Sequence, residues 1–304
     1  MQTILITGSN GLLGQKLVHL LKSKNNEQQF TIVATSTGEN RISDKNGYTY
    51  YQLDITNKEE VIAVFEKVKP NIVVNTAAMT NVDACEEEKE ACRKLNVEAV
   101  SYLLESCIEH QAKFIHLSTD FVFDGENGPY KETDQPNPLS FYGHSKYDSE
   151  LLLLNSDYKN WCIARTIIIY GIVEQMSRSN LVLWAKESLE NGKKINVVTD
   201  QFRSPTLAED LAMACYLMIE KDAKGIYHIS GEETKSIYDL VIEVAETYGL
   251  DTKLINPISS DTLNQAAKRP PKTGFIIDKA KKELGYQPMR FKEGLLFLKK
   301  QLDS

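Results

Sequence analysis

Gln2-Thr3-Ile4-Leu5-Ile6-Thr7-Gly8-Ser9-Asn10-Gly11-Leu12-Leu13-Gly14 is the stretch on which the fold turns. Residues 2–7 are an apolar run too short for a helix, followed at once by a glycine turn and an amphipathic segment reaching Lys24. Strand, glycine turn and helix in that order is the context in which glycines make a dinucleotide phosphate site. The spacing gives each glycine its own role, with Gly8 permitting the tight turn, Gly11 the close backbone approach to a pyrophosphate, and Gly14 the packing of helix on strand. The helix N-terminus then faces the anion, and Asn10, Leu12 and Leu13 complete the expected cofactor loop.

The same alternation continues down the chain. Apolar runs at 30–35, 48–53, 72–75, 113–117 and 161–169 read as strands, and the segments between them carry helical periodicity, including a long one over 82–110 and another from Ser140. This predicts an α/β protein of the Rossmann type, with a doubly wound parallel sheet. After Gly171 the rhythm changes to a helix over 178–191, a strand at 195–198, a turn opening a helix that ends near Glu220, a strand at 226–229, a helix over 236–247 and a terminal helix from Phe291. The expected division is an NAD(P)-binding domain over 1–171, with 205–222 returning to it, and a smaller α/β substrate lobe over 172–304.

Composition narrows the function. The chain has 304 residues, 42% hydrophobic and 25% charged, and its 35 Lys+Arg against 42 Asp+Glu give a net charge of −7. That balance argues against nucleic acid as a partner and requires any anionic ligand to be held by local groups. No uninterrupted apolar run approaches the length of a membrane span, and residues 1–7 run straight into a strand with no leader-like basic region, so no membrane association and a cytoplasmic location are expected. The five cysteines lack C-x-x-C spacing and read as reduced, buried small hydrophobes, with no metal site.

The chemistry is expected between Leu117 and Lys146. Ser118 and Thr119 fall at the carboxyl end of the 113–117 strand, where open α/β sheets place ligands, and Tyr142 and Lys146 stand four residues apart on the helix from Ser140, on one face. A free phenol has a pKa of about 10, and an ammonium one turn away is expected to favour the phenolate and bring Tyr142 towards working pH. A Thr119 hydroxyl at the strand end could share a substrate oxygen with that phenol. At the end of the second strand, where an acidic residue would bond an adenosine ribose, stand Thr35, Ser36 and Thr37, with Arg41 beyond them. Small hydroxyls and an arginine favour NADP(H), with NAD(H) as second choice. The Glu86-Glu87-Glu88 run reads as a solvated face and helix-start charge.

A Ser/Thr, a Tyr-x-x-x-Lys and a dinucleotide fold together resemble the short-chain dehydrogenase/reductase superfamily. That resemblance implies that Asp54 and Ile55 contact the adenine, that Ala77, Ala78 and Thr80 back the nicotinamide ribose, and that Asn96 holds a proton-relay water beside the cofactor. Five further segments carry a narrower resemblance: Asn75 to Asp83, Ser118 to Gly125, Tyr142 to Lys146, Asp200-Gln201 with Pro205-Thr206, and Arg269-Pro270. Together they resemble the dTDP-4-dehydrorhamnose reductase family, which implies NADPH-dependent reduction of a nucleotide-linked 4-keto-6-deoxy sugar by a monomer or homodimer. Thr119, Tyr142 and Lys146 would be catalytic; Thr80, Val82 and Phe121 would face the sugar, with Arg269 near the diphosphate. Asp120, Ile168 and Arg203 complete the expected substrate contacts. Two positions depart from the family pattern: Ile167-Ile168-Ile169 stands where a tryptophan is usual, and Arg203 replaces a glycine. Sugar-nucleotide dehydratases follow the Thr-Asp pair with Glu; Phe121 stands there and cannot transfer a proton, which favours reduction. The alternatives are another sugar-nucleotide reductase or epimerase, or a non-catalytic NADP-binding subunit resembling the methionine adenosyltransferase β subunit.

Overall fold

A computed structural model of the chain describes residues 1–25 and 29–303. In chain order it forms β1 (Gln2–Thr7), α1 (Leu12–Lys24), β2 (Phe30–Ser36), β3 (Thr49–Gln52), α2 (Lys58–Val68), β4 (Ile72–Asn75), α3 (Val82–Glu87), α4 (Lys89–Arg93), α5 (Ala99–Glu109), β5 (Lys113–Thr119), α6 (Phe141–Leu154) and β6 (Trp161–Thr166). There follow β7 (Ile169–Tyr170), α7 (Leu181–Glu190), β8 (Ile195–Val198), β9 (Phe202–Arg203), β10 (Thr206–Leu207), α8 (Ala208–Glu220), β11 (Gly225–Ile229), β12 (Lys235–Ser236), α9 (Ile237–Tyr248), β13 (Ile255–Ile258) and α10 (Phe291–Leu302).

Among the described residues the main sheet has seven strands in the order β11-β6-β5-β4-β1-β2-β3, and every pairing in it is parallel. The order reverses at β1, which has β2 on one side and β4 on the other, and such a switch point opens a crevice at the carboxyl ends of the strands. Strands β4 and β6 are buried along their whole length, as strands covered on both faces must be. On one face Leu17, Val18 and Leu21 of α1 share a core with Leu211, Cys215 and Met218 of α8. On the other, Val61 and Phe65 of α2 pack with Leu103 and Cys107 of α5. A third core joins Val182 and Leu189 of α7, Leu240 and Val244 of α9, and Leu295 and Leu298 of α10 around Ile195 and Ile255.

Three elements differ from the sequence expectation. The 226–229 strand, assigned to the smaller lobe, is β11 and pairs with β6 at the edge of the main sheet. Local periodicity identifies a strand but not its partner. The 82–110 helix breaks into α3, α4, a π-helical turn at Lys94–Glu98 and α5. The turn carries Asn96 inward, a distortion common at functional positions. The 161–169 strand stops at Thr166, and Ile168 takes a positive φ of 28° before β7. A β-branched side chain is strained in that region.

Helix α6 is held at both ends. Ser140 caps it, its Oγ accepting from Gly143 N at 3.2 Å, and the Glu86 carboxylate accepts from Phe141 N at 2.7 Å. Glu86 thus leaves its expected solvated face to lie at the positive end of a helix from another part of the chain. Further along, Glu150 receives Arg165 of β6 in a two-pronged pair at 2.9 and 2.6 Å, with both side chains at most 1% exposed.

Candidate active site

Thr119 is the last residue of β5, and Tyr142 and Lys146 lie on the face of α6 that closes over it. Thr119 Oγ1 accepts from Phe121 N at 3.2 Å and donates to Asp120 Oδ1 at 3.1 Å, and the same hydroxyl bears on the Tyr142 phenol, whose ionised form it favours. The Tyr142 ring meets Phe121 edge-on with centroids 5.7 Å apart. Both Tyr142 and Lys146 are buried, at 8% and 3% exposure. Burial pushes the Tyr142 phenol up from its ordinary value, opposed by the Thr119 hydroxyl. It brings the Lys146 amine down to about 8, opposed by the charge of Glu150.

This corrects the expectation that the lysine brings the phenol down: desolvation dominates, the Asp120 charge adds to it, and the phenol keeps its proton at neutral pH. A protonated phenol beside a weakened ammonium is suited to giving a proton to an oxygen, with the amine as the next donor in line.

The glycine loop fits a dinucleotide pyrophosphate. A Cβ on Gly8, whose φ is 70°, would lie 2.7 Å from Ala77 N, and one on Gly14 would lie 2.4 Å from Gly8 O. The turn therefore packs backbone on backbone, as close approach to a phosphate requires. Gly11 is the N-cap of α1 and offers no side chain, and no acidic residue stands in the first turn, so the N–H groups at that end remain open to an anion. The buried Ser9 Oγ in the same loop has no partner, as befits a group awaiting a ligand. Leu12 and Leu13 open the helix, and Leu13 is buried in the core. Ala77 and Ala78 are half-buried after β4, with Thr80 exposed beyond them.

Several expected contacts are differently employed. Thr35 is fully buried and donates to Ile6 O at 3.0 Å, so Ser36, Thr37 and Arg41 remain as the groups open to a ribose phosphate. Asn10 binds the 37–41 loop, donating to Glu39 O at 2.8 Å and accepting from Arg41 N at 3.0 Å. Asp54 ends a turn into α2 by accepting from Thr56 N at 2.9 Å, and Ile55 is in the core.

Asn96, expected to hold a relay water, has a committed side chain. It accepts from Met79 N at 2.8 Å and donates to Met79 O and Ser145 Oγ, each at 3.0 Å. It clamps the loop after β4 to α6.

Asp120 is 2% exposed, accepts from Thr273, and lies 3.6 Å from Arg203. Arg203 is also 2% exposed and donates to the carbonyls of Phe202, Pro270 and Pro271. The two side chains thus form a buried tie between the end of β5 and the 270–273 loop. Both side chains are held by partners within the protein and have almost no open surface for the contact with substrate expected of them. Phe121, Val82 and Ile168 are half-buried and retain open surface, and Phe121 lies against Arg203 with 5.7 Å between guanidinium and ring. Arg269 reaches α3, where it binds Asp83 through two prongs at 3.1 and 2.6 Å.

Sequence reasoning missed the groups behind the site. His116 of β5 touches Lys146 and Ser149 of α6, and Glu150 lies one turn beyond Lys146. Their only sequence signal was spacing: Ser149 and Glu150 follow Lys146 by three and four residues, on its face of the helix. Among the described residues no group of three or more His, Cys, Asp or Glu is arranged to hold a metal ion, and no helix is long and apolar enough to cross a membrane.

A parallel sheet with a glycine cradle at its switch point and a Tyr-Lys helix over the next strands is the architecture of the extended short-chain dehydrogenase/reductases. Within that class the chain belongs to the family described as the RmlD substrate binding domain, which matches residues 1–303. It is 34% identical to the dTDP-4-dehydrorhamnose reductase of Aggregatibacter actinomycetemcomitans, over 97% of each chain. It is 31% identical to methionine adenosyltransferase 2 subunit beta of Pongo abelii, over 88% of this chain and 78% of that one. Its fold superposes on the dTDP-4-dehydrorhamnose reductase of Bacillus anthracis str. Ames, solved in complex with NADP, with a TM-score of 0.84, 26% identity and 99% of each chain covered.

Proposed function

We propose that the chain is an NADPH-dependent reductase of a nucleotide-linked 4-keto-6-deoxy sugar, with dTDP-4-dehydrorhamnose as its substrate. The observation that carries this reading is the buried Tyr142 phenol, influenced by the Thr119 hydroxyl and one turn from Lys146, at the sheet end that also holds the glycine cradle. Bound NADPH supplies a hydride to the carbonyl carbon. Tyr142 gives its proton to the carbonyl oxygen while the Thr119 hydroxyl shares that oxygen, and Lys146 returns a proton to the phenolate. Phe121, in the place after Thr119-Asp120, has no group to abstract or deliver a proton, which disfavours removal of water from the sugar. Thr80, Val82, Phe121 and Ile168 would meet the sugar, and the part of 172–304 built around α7, α9 and α10 would form the substrate lobe.

Cofactor choice follows from the end of β2. Ser36, Thr37 and Arg41 offer hydroxyls and a guanidinium and no carboxylate, so NADPH should bind at least as tightly as NADH, and Ser36→Asp should shift preference towards NADH. Titration of both cofactors checks this; a strong NADH preference in the unmodified chain would sink it.

The diphosphate is assigned to Arg269, whose fork binds phosphate oxygens as it binds the Asp83 carboxylate here. Arg269→Ala should raise KM for the sugar nucleotide by about one to two decades, the scale of one charge-assisted contact of about 1.5–3 kcal/mol, with NADPH affinity little changed. Asp83→Asn should raise it less. Equal effects of the two substitutions would mean that the pair only ties its loop to α3.

A second reading comes from the methionine adenosyltransferase 2 subunit beta likeness: a chain that binds the cofactor and regulates a partner without turning over. NADPH oxidation with a panel of nucleotide-linked 4-keto sugars separates the two.

A further inference from the structure

A chain of buried polar groups crosses the sheet from the glycine loop to the Tyr-Lys helix. Thr7, the residue before Gly8, donates to Asn75 Oδ1 at 2.6 Å, and the same oxygen accepts from Ala77 N at 3.2 Å. A backbone N–H can only donate, so the oxygen of the Asn75 amide must face Ala77 and its NH2 must face the other way. That NH2 lies 3.2 Å from His116 Nδ1, which therefore accepts. His116 is fully buried, and burial together with the Lys146 charge holds its imidazole well below the ordinary value, so the ring is neutral. With Nδ1 accepting, the ring proton sits on Nε2, which donates to Ser149 Oγ at 2.9 Å. The Ser149 hydroxyl passes the sequence on to Lys146 O at 2.6 Å.

Lys146 Nζ lies 3.3 Å from this same Nε2. An ammonium needs acceptors, and the nearest ring nitrogen already carries a proton. The other groups that bear on Lys146 are Glu150 on its own helix and Cys92 on α4, and both favour the charged form. Tyr142 stands one turn back on α6, on the same helical face as Lys146.

We propose that His116 is a positioning residue for Lys146: a neutral ring, locked by Asn75 as the Nε2–H tautomer, presents the lysine with a donor and so directs the lysine proton towards Tyr142. Because the lock begins at Thr7 and Ala77, it ties the dinucleotide loop to the protonation of the lysine. The proposal rests on the reading of Tyr142 and Lys146 as the proton-transfer pair, and its test does not depend on turnover.

The test is NMR on the full chain labelled with 15N-histidine and with lysine carrying 13C at Cε, His116 and Lys146 being assigned by loss of their signals in His116→Asn and Lys146→Met. His116 should show a protonated Nε2 and an unprotonated Nδ1 across neutral pH. Asn75→Asp should move the proton to Nδ1, which frees Nε2 to accept from the ammonium and raises the Lys146 midpoint by about one to two pH units, the usual reach of one hydrogen bond or charge on a buried group. Asn75→Leu should raise it in the same direction without adding a charge. A wild-type His116 protonated on Nδ1, or a midpoint raised by Asn75→Asp but not by Asn75→Leu, would overturn the proposal. Failure of the unmodified chain to oxidise NADPH, with both NMR results as expected, would overturn the reductase reading and leave the tautomer lock supported.

Discussion

Tyr142→Phe is expected to bind NADPH with nearly wild-type affinity and to turn over about two to four decades more slowly, the usual worth of a positioned acid. The phenol is 8% exposed and packs edge-on against Phe121, so the ring can stay in place when its hydroxyl is removed. What disappears is the proton that burial keeps on the phenol, and Thr119, left alone at the oxygen, is too weak an acid to replace it. Stopped-flow reduction beside a cofactor titration separates chemistry from binding. A variant that keeps a near wild-type rate would remove Tyr142 from the mechanism.

The largest effect on stability is expected at the pair that anchors the same helix. Arg165→Met leaves the Glu150 carboxylate 0% exposed without its cation and also removes a contact to His228 and the stacking of the guanidinium on Phe123. Breaking a buried ion pair from one side costs about 3–5 kcal/mol, whereas replacing both members by apolar groups of similar size is often close to neutral. Arg165→Met should therefore lose about 3–5 kcal/mol in denaturant unfolding, and Glu150→Leu combined with it should recover much of that. A loss below about 1 kcal/mol for the single variant would show that α6 is anchored elsewhere.

Short-range pattern is what the sequence makes legible. The strand, glycine turn and helix of residues 2–24, the β4 strand, and the placement of Tyr142 and Lys146 on one helical face all follow from periods of two and 3.6 residues, and the structure has them at those positions. What stays hidden depends on contacts across the chain. Gly225–Ile229 reads as a strand from its own residues, but its place beside β6 is decided by a partner some sixty residues earlier. The resemblance suggests a water holder at Asn96 and a substrate contact at Arg203, yet the side chain of each also binds backbone groups brought to it by another loop. For the Tyr142 phenol the i,i+4 spacing of Lys146 suggests a downward shift, but burial, which no spacing reveals, sets its direction.

Reductase activity itself is open to direct measurement, by mixing the purified chain with NADPH and dTDP-4-dehydrorhamnose and following cofactor absorbance. The expected result is stoichiometric oxidation of NADPH with formation of the 4-hydroxy sugar nucleotide, lost in Tyr142→Phe. Tight NADPH binding with no oxidation, against this substrate and the other nucleotide-linked 4-keto sugars, would contradict the assignment of the chain as a reductase.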